Sequence, residues 1–351
     1  MIENKERNHY IDVLKGLAII SVIFIHTAFH SGNSYVPIWF SNFTLLFEVP
    51  MFFFLAGWSY SYSKGNKSYI QGMIITQIKY MVFMTLIYIA IKITNYIHFC
   101  DDPITLQNLV NWFFHTYSVT NPFRGVYNSL WFFRVYFFTS LIGAMILTLI
   151  KPKVRKYVMA ICFIGIFMIT FFVPKIGKIN LGIELSYVLF YLFFYMLGYH
   201  TKDKKISIYQ FVSLFVLTIV ALICINKFTS VNIMQIQEHK FPPNFIFLLW
   251  SLFGVYIVLV LKPYFNSCKT NILSVIGQHS MYIFFAQGIG SSVLYWISKY
   301  ITMEWYYKIW IMFGINVLTT MCVTIILKLI LDPVGKYTKK FLKEKVFNNK
   351  K

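Results

Sequence analysis

Residues 10–30 read YIDVLKGLAIISVIFIHTAFH, and this stretch decides to which class of protein the chain belongs. Ten uncharged, mostly apolar residues separate Lys15 from His26. A bilayer core about 30 Å thick is crossed by roughly 20 predominantly apolar residues in a helix. A signal peptide would have a shorter apolar run, followed by a small-residue cleavage site. The stretch therefore predicts a transmembrane helix that is retained in the protein.

The composition of the whole chain agrees with a membrane protein. Of its 351 residues, 58% are hydrophobic and 13% are charged, whereas soluble domains carry about 25% charged residues. We expect an all-α integral membrane protein with about ten transmembrane helices, forming a single domain over residues 1–351. The second span is predicted to be broken, because Pro50 and Gly57 interrupt it. The spans are predicted at residues 11–30, 39–60, 72–97, 129–150, 157–174, 182–199, 208–226, 244–261, 276–297 and 309–331.

The distribution of basic residues predicts the orientation. The chain has 32 Lys and Arg against 12 Asp and Glu, a formal net charge of +20. If the N-terminus is cytoplasmic, 21 basic residues fall in cytoplasmic segments and 7 in outside segments. Cytoplasmic loops of membrane proteins carry an excess of Lys and Arg, so we expect both termini inside. The basic tail at about 333–351 is predicted to lie on the membrane surface, and nucleic acid is not expected as a partner.

The cysteines and the short motifs exclude several classes of chemistry. The five cysteines are too far apart in the sequence to read as a metal-binding pair, so we expect neither a disulfide framework nor a metal site. There is also no glycine-rich phosphate loop and no nucleophile-elbow serine, so phosphoryl transfer and serine hydrolysis have no support. The cysteines are Cys100, Cys162, Cys224, Cys268 and Cys322.

Three ionisable residues of the first span lie on one face of the predicted helix. Lys15 and His26 are eleven residues apart, which leaves them roughly 20° apart around the helix axis and about 16 Å apart along it. Asp12, fourteen residues before His26, falls within about 40° of the same face. An acid and a base therefore lie near the cytoplasmic mouth, and an imidazole lies deep in the outer half of the membrane.

Such a stripe suits acyl transfer. A histidine can act as general base near neutral pH, and a lysine at the cytoplasmic mouth can hold a phosphate. The separation of about 16 Å is comparable to the reach of the pantetheine arm of coenzyme A, judged by chain geometry. A structural interpretation is also open, in which His26 hydrogen-bonds a neighbouring helix and Lys15 extends its amine to the membrane surface. Ionisable residues inside a membrane are nevertheless functional candidates by default.

Four stretches of the sequence resemble motifs of the membrane-bound acyltransferase-3 family. The family opens with Arg or Lys, ten residues and then His, which here are Lys15 and His26. Lys replaces the usual Arg, and a lysine cannot form the two parallel hydrogen bonds that an arginine gives a phosphate. The other three stretches are PMFFFLAGW at 50–58, LWFF at 130–133 and GQHSMYI at 277–283.

The resemblance covers nearly the whole chain, from about Arg7 to about Asp332. The sequence departs from the family pattern at Ala56, where Ser is usual, and at Gln287, where a His often ends the last motif. The short segment that begins at Pro50 and the lack of an attached hydrolase-like domain resemble the sugar O-acetylases that act on surface polysaccharides.

The resemblance implies an acetyl-CoA-dependent O-acyltransferase of the bacterial cytoplasmic membrane, with a surface polysaccharide or a lipid-linked sugar as acceptor. His26 would be the general base or a transiently acetylated carrier. Lys15 would hold a phosphate of coenzyme A, and Asp12 would position Lys15 or tune the local charge. Glu48 would be a catalytic partner that fixes the tautomer of His26.

Three further residues are candidates for binding the acceptor. His30 lies one turn beyond His26 on the same face, where it would line the acceptor entrance or lie among the outer headgroups. Arg134 could neutralise Glu48 or contact an anionic acceptor. Trp131, in the LWFF stretch, is a candidate for stacking on a sugar ring. The expected partners are acyl-CoA, the carbohydrate acceptor and membrane lipids; the sequence does not give the oligomeric state.

Two other classes of protein stay open. A transporter that exports a glycan or an acylated product would use His26 as a proton relay. Transporters often have paired discontinuous helices in their two halves, and only the second span is predicted to be broken here. A structural or receptor membrane protein would leave the stripe of Asp12, Lys15 and His26 without a function. The enzyme is therefore the preferred interpretation.

Overall fold

The structure is a computed structural model that describes residues 8–30, 35–63, 65–99, 105–113, 123–129, 131–172, 185–229, 231–265 and 270–346. Arg7, Cys100, Cys268 and the tail from residue 347 lie outside these residues. The described residues form helices and turns, with one isolated bridge between Lys240 and Pro243. The helices are α1 (His9–His30), α2 (Ile38–Thr44), α3 (Val49–Tyr60), α4 (Asn66–Phe99), α5 (Leu106–Phe113), α6 (Arg124–Ser129), α7 (Trp131–Leu149), α8 (Pro152–Phe171), α9 (Leu185–Thr201), α10 (Ile208–Phe228), α11 (Phe245–Phe265), α12 (Ile272–Gln278), α13 (Ser280–Ile297) and α14 (Trp305–Phe341). Two 3-10 turns (Ile236–His239 and Ser298–Tyr300) and a π-helical turn (Leu342–Val346) complete the set.

Within the described residues, eight spans are long and apolar enough to cross a membrane, which confirms the all-α membrane fold. They correspond to eight of the ten predicted spans. The other two, at 182–199 and 276–297, are helical as α9 and α13. Helix α9 has 17 residues and follows a segment outside the described ranges, and α13 carries polar side chains such as Gln287 and Ser291. The count of ten and the orientation of the termini stay predictions.

The second predicted span is broken, as expected, between residues 45 and 48. Helix α2 ends at Thr44 and α3 begins at Val49. Pro50 lies in the first turn of α3, where its missing N–H removes no helical hydrogen bond. The prediction that Gly57 also interrupts the span was wrong, because Gly57 lies inside the continuous helix α3.

Gly57 instead allows α3 and α9 to cross at close range. A Cβ built on Gly57 would lie 1.8 Å from the backbone oxygen of Tyr195, and a Cβ built on Gly198 would lie 1.9 Å from that of Phe54. Each glycine therefore makes room for the backbone of the other helix. Helices in a membrane associate largely through close packing at small residues, so this reciprocal pair brings α3 and α9 together.

The structure adds detail to two predictions in the C-terminal part. The ninth span is not one helix, since α12 ends at Gln278, His279 forms a turn and α13 begins at Ser280. Helix α14 continues through Pro333 to Phe341, so the first part of the predicted tail is helical. The transporter was disfavoured because only one broken span was predicted. Since the described residues contain a second interruption, at His279, this argument no longer distinguishes an enzyme from a transporter.

Residue contacts divide the chain into two compact units. The first comprises Met1–Ala28, Ser34–Ser63 and Val135–Ser280, and the second comprises Phe29–Asn33, Lys64–Arg134 and Met281–Lys351. Both units have aromatic cores. In the first, Phe53 of α3 stacks on Tyr191 of α9 with ring centres 4.2 Å apart. In the second, Tyr80 of α4 stacks on Phe133 of α7 at 4.7 Å. Such pairs contribute about 0.5–1.5 kcal/mol beyond the area they bury.

Candidate functional site

The inner half of α1, which carries Asp12 and Lys15, packs backbone to backbone against α12. A Cβ built on Gly16 would lie 2.1 Å from the backbone oxygen of Leu273, and a Cβ built on Gly277 would lie 1.7 Å from that of Asp12. Gly16 follows Lys15 directly, and Gly277 opens the GQHSMYI stretch. Two motifs from opposite ends of the chain therefore meet beside Asp12, whose side chain is buried.

The same end of α1 is held against α3 and α11. The hydroxyl of Tyr10 donates a hydrogen bond of 2.7 Å to the backbone oxygen of Val258. Its ring meets the buried Trp58 ring edge-on, with centres 6.0 Å apart. Lys262 Nζ lies 4.8 Å from the centre of the Trp58 ring. Trp58 ends the PMFFFLAGW stretch, so three of the four motifs contribute to this end of the first unit.

His26 lies in the outer half of α1. Because α1 is continuous from His9 to His30, the distance of about 16 Å along the axis between Lys15 and His26 is kept. Contacts with the region of α2 border this half of the helix: Phe24 packs on Phe40 with ring centres 5.7 Å apart. The roles predicted for Lys15 and His26 stay predictions.

Glu48 forms a buried ion pair that the sequence did not predict. Its Oε1 contacts Nζ of Lys240, and the two side chains are 2% and 6% exposed. Glu48 was expected to hold His26 in one tautomer, but the partner that the structure gives its carboxylate is Lys240. Both roles predicted for Arg134, neutralising Glu48 and contacting an anionic acceptor, stay predictions.

The second carboxylate oxygen of Glu48 has surroundings that are unusual for a buried polar atom. Oε2 is buried and has no hydrogen-bond partner among the described residues. Glu48 precedes α3 at the capping position, yet its side chain does not cap the helix. A buried acceptor left unpaired costs about 1–3 kcal/mol, and more when it is charged. Burial lowers the pKa of Lys240 to about 7, whereas the attraction of the Glu48 carboxylate favours the charged ammonium.

The segment that carries Lys240 is braced against α2. The Asn42 side chain donates to the backbone oxygen of Met234 at 2.6 Å and accepts from the N–H of Ile236 at 3.2 Å. The His239 ring contacts the backbone oxygen of Asn232 at 2.6 Å. These bonds fix the residues before Lys240 beside the broken second span. The ion pair joins positions that are distant in the sequence, so no local pattern could have revealed it.

The remaining predicted site residues belong to the second unit. Trp131 and Arg134 lie in the first turn of α7. The Trp131 ring meets that of Phe132 edge-on at 6.4 Å. His30 ends α1, and its side chain lies outside the described part of the chain. Their roles in acceptor binding stay predictions.

A polar cluster in the second unit joins three helices. Lys79 of α4 donates to the hydroxyl of Tyr282 in α13, and this hydroxyl donates to Oδ1 of Asp332 in α14. Nζ of Lys79 lies 3.5 Å from the same oxygen. Gly335 makes room for the lysine, since a Cβ there would lie 2.3 Å from Cε of Lys79. The cluster ties α4, α13 and α14 together.

Comparison with known proteins gives one match. A family model of an acyltransferase domain, that of the acyltransferase-3 family, matches residues 8–331. No curated protein and no solved structure matches the chain. The matched range includes Asp12, Lys15, His26, Glu48 and Lys240.

Proposed function

The chain belongs to the acyltransferase-3 family, and from this premise we propose that it transfers an acetyl group from cytoplasmic acetyl-CoA to a hydroxyl of an outward-facing surface polysaccharide or lipid-linked sugar. The family and the eight apolar spans make the chain a multi-pass membrane acyltransferase. The acetyl-CoA donor, the glycan acceptor and a bacterial cytoplasmic membrane as the location are parts of the proposal.

The spacing of charged and polar groups on α1 is the observation that supports it best. One continuous helix carries Lys15 toward one end and His26 further along, about 16 Å away. A coenzyme A molecule whose phosphate contacts the Lys15 ammonium can lay its pantetheine arm along this face and bring its thioester to His26. The close crossing at Gly16 and Gly277 fixes the backbone beside Lys15.

The proposed reaction is a direct transfer with His26 as general base. The imidazole takes the proton of the acceptor hydroxyl while the oxygen attacks the thioester carbonyl carbon. The carbon–sulfur bond breaks, the thiolate of coenzyme A leaves, and the proton passes from the imidazole to it. The products are an acetyl ester and free coenzyme A. In a second route the acetyl group resides on the imidazole before it reaches the acceptor.

The direct test is incorporation of label from radiolabelled acetyl-CoA into the surface-glycan fraction of membranes that contain the protein. We expect the wild type to transfer label and His26→Ala to lose at least about a hundredfold in rate, since general-base catalysis contributes roughly 10²–10⁴-fold. His9→Ala removes a histidine from the same helix and serves as the control at matched protein levels. Transfer by His26→Ala at the wild-type rate would return His26 to a packing role.

The donor side is tested at Lys15. We expect Lys15→Ala to raise the half-saturating concentration of acetyl-CoA about tenfold or more, because a hydrogen bond to a charged group contributes roughly 1.5–3 kcal/mol. Lys15→Arg keeps the charge and is expected to stay close to the wild type. Lys153→Ala removes an exposed lysine and is the control. Equal half-saturation in Lys15→Ala and Lys153→Ala would remove Lys15 from the donor site.

A further inference from the structure

The ion pair of Glu48 and Lys240 leaves one charged oxygen with unused capacity. Both side chains are almost fully buried, and Oε1 of Glu48 is engaged by the lysine ammonium. Oε2 is buried without a hydrogen-bond partner among the residues described. A carboxylate oxygen accepts hydrogen bonds and donates none. The group that would complete this site therefore has to be a hydrogen-bond donor.

The carboxylate is not engaged in the local roles that a Glu at this position usually has. Glu48 immediately precedes α3, but its side chain does not bond the free backbone N–H groups of that helix, although such capping is a common use of an acidic residue there. The backbone of Glu48 does contribute, since its carbonyl accepts from the N–H of Met51 at 2.9 Å. The Glu48 side chain is therefore available for an interaction other than helix capping.

The lysine is held in place by a built segment. Asn42 of α2 bonds Met234 and Ile236 on the one side, and Lys240 itself pairs with Pro243 in an isolated bridge on the other. An ammonium carried on such a segment holds Oε1 in one direction. Oε2 consequently keeps a fixed position in the break between α2 and α3.

We propose that Oε2 of Glu48 binds a hydroxyl group of the acceptor, and that Lys240 is the positioning residue that orients this carboxylate. The inference rests on the proposed function, because it assigns the acceptor side of that reaction. With the N-terminus inside, the segment before α11 is on the outside, where the acceptor arrives. The ligand is a neutral sugar hydroxyl rather than an anionic group, since the free oxygen carries negative charge and repels anions.

The burial of Oε2 also limits what can reach it. With the Glu48 side chain 2% exposed and Oε2 closed off from solvent, a sugar hydroxyl reaches this oxygen only when the side chains around it move apart, and a whole ring cannot lie against it. This agrees with a reaction in which one hydroxyl of a larger glycan has to be singled out. A site of this kind selects the position that is acetylated and also adds to the affinity for the glycan.

The test compares single variants with a variant that removes both charges. Glu48→Gln and Lys240→Met each leave one buried polar group without its partner and can fail to fold. The double variant Glu48→Met/Lys240→Met has no unpaired charge, and replacing a buried ion pair by apolar residues is often neutral for stability. Lys227→Met, at an exposed lysine of the same unit, is the control for loss of charge.

The readout is label transfer from acetyl-CoA, measured against increasing amounts of the surface-glycan fraction and, separately, of acetyl-CoA. For the double variant we expect half-saturation by glycan to rise at least about tenfold, half-saturation by acetyl-CoA to stay within twofold, and thermal stability to be kept. If a folded double variant has the half-saturation by glycan of the wild type, the inference is overturned. The ion pair then has a structural role, and water is the group that binds Oε2. A parallel loss on the acetyl-CoA side would overturn it too.

The two proposals fail in different ways. If the wild type transfers no label from acetyl-CoA to any glycan fraction, the proposed function fails and the acceptor site falls with it. If the wild type transfers label and the double variant responds to glycan as the wild type does, the proposed function stands and only the acceptor site is lost.

Discussion

At the scale of single residues, the tightest constraint on the site is the absence of side chains at two glycines. Gly16 and Gly277 let α1 and α12 approach until their backbones touch beside Asp12 and Lys15. A methyl group at Gly277 would overlap a backbone oxygen, which cannot swing aside as the end of a flexible side chain can. The position of Lys15 therefore depends on a residue far away in the sequence that carries no chemistry of its own.

We expect Gly277→Ala to destabilise the protein and to reduce transferase activity. The new Cβ would lie 1.7 Å from the Asp12 oxygen, so α1 and α12 have to separate, and overpacking of this kind costs about 1–3 kcal/mol or more. Gly314→Ala is the matched control, because a Cβ there meets nothing within 4 Å. Alanine also favours a helix over glycine by about 1 kcal/mol. The measurement is the unfolding temperature in detergent; equal temperatures for the two variants would contradict the close crossing.

At the scale of elements, the first unit is organised by pairs of helices that meet at small residues and aromatic rings. Helix α3 is the clearest case, since Gly57 and Gly198 form a reciprocal contact with α9 and Phe53 stacks on Tyr191. The PMFFFLAGW stretch is packed against α9 at this crossing. The break before α3 places Glu48 immediately before the first residue of this helix. Helix α3 thus packs against α9 along its length, and Glu48, for which we propose a role in acceptor binding, immediately precedes it.

The two glycines of this crossing should behave as one unit in a double-mutant cycle. Gly57→Ala and Gly198→Ala each insert a methyl group that forces α3 and α9 apart, so the second substitution meets a crossing that is already open. We expect the double variant to lose less stability than the sum of the two single variants, with a coupling of about 0.5–3 kcal/mol. Gly72→Ala, with open space around it, is the control in the same unfolding assay. Additive losses would show that the helices yield independently.

At the scale of the whole molecule, the arrangement of charge predicts how the chain lies in the membrane. The basic residues at 151–156 lie at the start of α8, directly after the short link from α7, and the basic segment at 202–205 joins α9 and α10. Both are expected on the cytoplasmic side. The segment at 231–244, which carries Lys240, is expected outside. The acceptor-site proposal depends on this orientation, because the glycan has to approach from the outside.

Labelling of single cysteines can check the orientation. In a background without the native cysteines, Met234→Cys and Asp203→Cys place thiols at exposed positions. A membrane-impermeant maleimide added to intact cells should label Met234→Cys at once and Asp203→Cys after permeabilisation. The reverse pattern would invert the predicted orientation and, with it, the side from which Glu48 is reached.

The parts of the fold that the sequence predicts are those governed by local properties. The apolar length of α1 and the spacing of Lys15 and His26 depend on a single helix, so both follow from residues 10–30. The break near Pro50 is also local, although Gly57 had to be reassigned from helix breaking to helix contact. The pairing of Glu48 with Lys240 depends on the distant segment before Lys240, which Asn42 binds to α2. No periodicity in the sequence predicts this contact. Composition likewise predicts one continuous helix at 276–297, whereas the structure has a turn at His279 between α12 and α13.

The length of α14 offers a practical handle on the molecule. Its 37 residues correspond to roughly 55 Å at a rise of about 1.5 Å per residue, nearly twice the thickness of a hydrocarbon core of about 30 Å. A helix of this length leaves room for a rigid extension beyond the lipid. A small helical protein joined in phase at Phe341, with no flexible linker, would rotate by about 100° for each residue inserted at the junction. Such a fusion would give a particle of this size an alignment marker for imaging by electron microscopy.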